Sequence, residues 1–126
     1  MRPKMIEKMN ILDNYKLEFE VRKIFNKDFK ILHSINDVLS AYISEHNTPL
    51  LANSLLIEID NILNEKKTEG GWDTQGFCMA KIKCNETKIY ADLEFYEKNK
   101  KITPNYILPT KDFRAIVEAW KNFVEN

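Results

Sequence analysis

The clearest pattern in the chain is a helical one near its end. From Phe113 onward the apolar residues fall at Phe113, Ile116, Val117, Trp120, Phe123 and Val124. That spacing makes one continuous stripe along an α-helix. Lys111, Arg114, Glu118, Lys121 and Glu125 lie mostly off the stripe and keep the other side wet. The helix start is marked by Leu108-Pro109, because proline disfavours helix at the residue before it. Thr110 is the expected N-cap, and Asp112 places a carboxylate near the positive end of the helix.

Elsewhere the period changes. Leu17, Phe19 and Val21 alternate with Lys16, Glu18, Glu20 and Arg22, which predicts a half-buried strand over 15–21. A helix through Leu17, Val21, Ile24 and Phe25 is the competing reading of the same stretch. After the polar break Asn26-Lys27-Asp28, residues 29–32 extend briefly, and Ser34 is expected to cap a helix carrying Ile35, Val38, Leu39, Tyr42 and Ile43. Thr48-Pro49 opens a second helix, with proline at the first helical position, where its missing N–H costs nothing. Leu51, Leu55, Ile59, Ile62 and Leu63 form its inner stripe; Leu50, Leu56 and Ile57 broaden it and predict a mostly buried helix.

Gly70-Gly71 reads as a turn or flexible loop, with Trp72 to Gln75 continuing it. A strand is expected from about Phe77 to Lys83, a turn at Asn85-Glu86-Thr87, and a second strand from Lys88 to Tyr96. Ile102 to Leu108 is the third, with Pro104 suited to an edge or bulge. Residues 1–14 form a loose or weakly helical lead-in. The fold class is therefore α+β: an antiparallel sheet of three or four strands with helices on one face, ending in an amphipathic helix.

Composition adds limits. At 126 residues the chain forms a single domain, and 44% hydrophobic with 30% charged residues is ordinary for a globular protein. Formal net charge is zero, so the basic excess of a phosphate-neutralising nucleic-acid binder is missing. Charge is uneven along the chain: +3 over residues 1–30, −5 over 31–80 and +2 over 81–126. A basic partner would be drawn first to the middle stretch. No apolar run is long enough for a signal peptide or a bilayer span. Cys78 and Cys84, six apart, read as reduced thiols, and the expected location is the cytoplasm.

Candidate chemistry is sparse. His33 and His46 bracket one predicted helix, roughly 20 Å apart at about 1.5 Å per residue, too far to share a ligand or a proton. The cysteines lack metal-ligand spacing and a positioned histidine. Asp92 and Glu94, two apart on the predicted second strand, share a face at about 6–7 Å, a distance compatible with acid–base work or a divalent cation. Tyr90 and Tyr96 bracket them, and tyrosine beside carboxylates suits a protein-binding face. Trp72, with Asp73 after it, is a candidate recognition anchor on its loop; Trp120 belongs to the core. No phosphate loop, dinucleotide fingerprint, nucleophile elbow or zinc-protease helix occurs. A binding protein without cofactor or metal is expected rather than an enzyme. A small enzyme using Asp92 and Glu94 is the minor alternative.

The closing run Ile107-Leu108-Pro109-Thr110-Lys111-Asp112-Phe113-Arg114-Ala115-Ile116-Val117-Glu118-Ala119-Trp120 resembles the ending of several small bacterial immunity proteins. These are the cytosolic antidotes of polymorphic toxin and contact-dependent growth inhibition systems, in which a strand passes through a leucine-proline step into a helix carrying D-F-x-x-I-x-x-W. The likeness covers roughly the last forty residues. It implies a cytoplasmic protein that occludes a cognate toxin domain, often a nuclease, with no direct nucleic-acid or membrane contact. The zero net charge departs from the acidic pattern frequent among such proteins. No toxin-contacting residue transfers from the resemblance; Trp72, Asp73, Tyr90, Asp92, Glu94 and Tyr96 are the candidates on this chain's own chemistry. A small adaptor or secretion chaperone is the alternative function.

Overall fold

The computed structural model describes residues 11–73 and 78–126. A helical turn, α1 (residues 11–14), leads into a hairpin of β1 (Glu18–Ile24) and β2 (Lys27–His33). Two helices follow, α2 (Asp37–Ser44) and α3 (Pro49–Leu63). Strands β3 (Glu69–Asp73), β4 (Met79–Lys83) and β5 (Glu86–Tyr90) come next, then α4 (Leu93–Lys98), β6 (Tyr106–Pro109) and α5 (Thr110–Glu125). The expected α+β class is observed: β3-β4-β5-β6 form an antiparallel meander, and β1-β2 form a separate two-stranded sheet. Residues 1–10, expected to be part of a loose lead-in, lie outside the described residues, as do 74–77.

The core lies between the meander and α2, α3 and α5. Ala80 and Ile82 of β4, Ile89 of β5 and Leu108 of β6 face Leu39, Leu55, Ile59, Phe113, Ile116 and Trp120. The stripe of α5 is buried as its spacing predicted, except that Phe123 is half-exposed. Thr110 is not the N-cap, however; Pro109 holds that position and makes no side-chain cap bond. The Thr110 hydroxyl is buried and donates to the Lys83 carbonyl, leaving Thr87 Oγ1 to donate to it at 2.9 Å. A buried hydroxyl needs a partner, and the sheet supplies one that ties the start of α5 to β4 and β5.

Helix α2 is capped by Asn36, not Ser34: Asn36 Oδ1 accepts from Val38 and Leu39 N–H at 3.0 Å each. Ser34 instead reaches the Asn36 carbonyl and Ser40 Oγ. Thr48 caps α3, with Pro49 beside it, as expected. On α3, Ala52, Leu55, Leu56, Ile59 and Ile62 are buried, whereas Leu50, Leu51 and Ile57 are exposed. The small Ala52, rather than Leu51, occupies the inward position.

Three expectations about the sheet are overturned. Gly70-Gly71 is not a turn but the middle of β3, with Gly70 paired to Ile82 and Gly71 to Lys81. A Cβ on Gly70 would lie 2.5 Å from Glu58 Oε2 and 3.0 Å from Ile62 Cδ1. Glycine is there because α3 passes close, and no glycine in the described residues has a positive φ. The run from Lys88 to Tyr96 is likewise not one strand. The turn is Cys84-Asn85, β5 ends at Tyr90, and α4 begins at Leu93. Asn105 ends the ladder there, its Oδ1 accepting from Ala91 N–H at 2.8 Å and its own N–H donating to the Ile89 carbonyl at 2.8 Å. Asp92 then caps α4 by accepting from Phe95 N–H at 3.2 Å. Helices were expected on one face of the sheet only; α4 covers part of the other face, where Met79, Tyr90 and Tyr96 form a small second core with Leu93 and Ile102.

Candidate functional site

The expected tyrosine-carboxylate face does not exist as a face. Tyr90 is on β5 and Tyr96 on α4, their ring centroids 4.7 Å apart, and both are buried in the second core. Asp92 is engaged as a helix cap, and only Glu94 is openly exposed. Asp92 and Glu94 are therefore not two positions on one strand face, as the alternation had suggested. Trp72 and Asp73 lie on β3 in register with Ala80 and Met79; their side chains lie outside what is described.

The histidines are separate, as expected. His46 is buried, with Nδ1 2.9 Å from the Tyr42 carbonyl, and burial holds its imidazole below the usual value. Its own carbonyl accepts from Trp120 Nε1 at 2.8 Å, so it belongs to the core. His33 lies 2.6 Å from Glu20 on the hairpin surface. Cys78 and Cys84 are not joined to each other; the first is buried and the second exposed. Among the described residues no group of three or more His, Cys, Asp or Glu side chains could hold a metal ion, and no helix is long and apolar enough to cross a membrane.

Among the described residues, the surface that departs most from an ordinary protein exterior is the β1-β2 hairpin. Its register pairs Ile24 with Lys27 and leaves a two-residue turn, Phe25-Asn26. Both turn residues have positive φ, 50° and 64°, the type I′ geometry that matches strand twist. Asparagine suits that conformation, but an L-residue with a bulky side chain is disfavoured there by Cβ crowding. Phe25 occupies it nonetheless, and the residue is 96% exposed. Every residue from Val21 to Phe29 is exposed, including Ile24 and Phe29. Arg22, Lys23 and Lys27 surround the tip against Asp28, and the Arg22 guanidinium, with help from His33, holds Glu20 below the usual carboxylate range.

The base of this arm is fixed firmly. Leu32 is buried in the main core, and Phe19 stacks on Phe123 with centroids 5.1 Å apart. Lys30 Nζ donates to the carbonyls of Phe123, Val124 and Asn126 at 3.0–3.2 Å, capping the negative end of α5. The sequence pattern marked β1 but not the exposed tip of the hairpin. The only local signal was a large aromatic followed by asparagine between two alternating runs.

Comparison with protein-family models, curated proteins and solved structures returned no match.

Proposed function

We propose that this chain is an immunity protein that binds and neutralises a cognate bacterial toxin domain by occluding its functional surface. The observation that carries the reading is the hairpin: a well-fixed arm that holds an exposed phenylalanine in a disfavoured backbone conformation. Strain and exposed aromatic area are both costs in the free protein, and they concentrate where a partner recovers them. The closing sequence resemblance supports the same assignment. Phe25 would enter an apolar cleft on the toxin, with Ile24 and Phe29 beside it. Arg22, Lys23 and Lys27 favour an acidic rim around that cleft. This replaces the basic toxin surface that the acidic middle of the chain had suggested.

The test is titration of the protein against the C-terminal domain encoded immediately upstream of its gene, by calorimetry and by toxicity assay. Nanomolar one-to-one binding that abolishes toxicity is the expected result. The adaptor or secretion-chaperone reading draws on the outer edge of β1, which among the described residues pairs only with β2 and could accept an extended segment; the outer edge of β2 is partly taken by Ser44 Oγ at Leu32. Binding to many unfolded peptides, with none to the folded domain, would move the assignment there.

A further inference from the structure

The outer face of the meander carries a second feature, which does not depend on the immunity reading. Lys81 of β4 and Lys88 of β5 are direct register partners. Their neighbours along each strand, Ala80, Ile82, Thr87 and Ile89, are all fully buried on the inner face, so both lysines point outward together. Like charges placed directly opposite one another destabilise a sheet. The next position across the sheet from Lys81 is Gly71, where an added Cβ would meet nothing within 4 Å. Among the described residues, nothing covers that side of Lys81.

Around this pair lies a depression of about 80 Å³ lined also by Lys83, Glu86, Tyr96 and Lys100. At about 30 Å³ of liquid per water molecule, it has room for a group of two or three waters' size. Among the described residues its charge is unbalanced. Glu69 lies 3.8 Å from Lys81 and from Lys83, and Glu86 lies 3.8 Å from Lys88, so two described carboxylates at the outer limit of ion pairing serve four ammonium groups. Lys81 Nζ donates to the Tyr96 hydroxyl at 3.4 Å, which leaves the phenolic proton for another acceptor. Lys100 stands over the Tyr96 ring, 5.0 Å from its centroid. A repelling pair, converging donors and a phosphate-sized opening make a local conflict that an anion would relieve.

We propose that this depression binds a compact, multiply charged oxyanion of the phosphate class, held between Lys81 and Lys88 with the Tyr96 hydroxyl as a third donor. The probe is inorganic phosphate, titrated into the full chain at ionic strength held constant with sodium chloride. Melting temperature and the amide shifts of β4 and β5 are read together. The wild type should show saturable shifts centred on Lys81, Lys88 and Tyr96. Lys88→Gln should bind at least about tenfold more weakly, yet melt higher than wild type without phosphate, because the like-charge contact is gone. Lys66→Gln, at an exposed position after α3, which also removes one positive charge, should bind phosphate as the wild type does. Phosphate stabilises proteins generally by exclusion from their surface, so the double variant Lys81→Gln/Lys88→Gln sets the baseline. Equal stabilisation of wild type and double variant, or shifts spread over all lysines, would overturn the site. If phosphate competes with the upstream-encoded domain, the oxyanion is carried by that partner; if both bind at once, it is a free ligand, and either result supports the site.

Discussion

At the scale of single residues, the two adjacent glycines of β3 have different reasons to be there. A methyl group at Gly70 meets the Glu58 carboxylate, which is nearly buried and held by Lys67 at 2.9–3.0 Å. Gly70→Ala must displace that ion pair and should cost about 1–3 kcal/mol in urea unfolding. Gly71→Ala enters open space and should fall within about 0.5 kcal/mol of wild type; similar losses in both would refute the close-approach argument. His46 supplies a pH dependence. Its imidazole is held below the ordinary 6.5, chiefly by burial, with the Tyr42 carbonyl and Glu45 acting in the opposite direction. The unfolded chain therefore takes up this proton first as pH falls. Stability from this group is complete above the unfolded value and is lost as pH drops below about 6.5. Urea midpoints measured from pH 8 to 5 should fall more steeply for wild type than for His46→Gln, whatever the absolute stability of the variant.

At the scale of elements, the hairpin sets stability against binding. Phe25→Asn places a residue tolerant of positive φ at the turn and should raise stability by about 0.5–1 kcal/mol. The same change removes the exposed ring and should weaken toxin-domain binding by about 2 kcal/mol or more. A variant that is more stable and binds unchanged would remove the tip from the interface. The α4 segment shows how a strand pattern can become a helix. Residues 89–96 alternate apolar and polar, but Leu93 and Tyr96 are also spaced i, i+3, so a helical turn brings both onto Met79 and Tyr90. Once Asn105 closes the end of β5 and Asp92 caps the turn, the helix satisfies the backbone as the strand would have.

At the scale of the whole molecule, distant segments meet at Trp120. Its indole is fully buried and donates to the carbonyl of His46, 74 residues earlier, while its ring lies 5.8 Å from Phe123, which in turn stacks on the hairpin's Phe19. Helix α5 thus joins the end of α2, the helical core and the base of the arm. Trp120→Phe keeps an aromatic ring but leaves the His46 carbonyl without its donor and opens a cavity. Chemical denaturation should show a loss of about 2–4 kcal/mol. A loss under about 1 kcal/mol would mean that water replaces the indole at no cost.

Local pattern was enough to determine α5, α3 with its Thr48-Pro49 start, and the α+β class; it left residues 15–25 open between strand and helix, and pairing with β2 decided for strand. Periodicity and cap chemistry are carried by residues near one another in the chain, so they are legible without a partner. What only the tertiary structure decided depended on residues far apart. Gly70-Gly71 is a strand because β4 pairs with it and Glu58 leaves no room for a side chain. Thr110 left its capping role because the Lys83 carbonyl was within reach. Residues 93–98 became helix because Met79 and Tyr90 offered an apolar seat. Lys81 and Lys88 were brought opposite each other by register, and Phe25 was left alone at a tip by the length of a turn. Charge, exposure and strain at these positions arise from strand pairing and packing between distant segments, which no window along the chain contains.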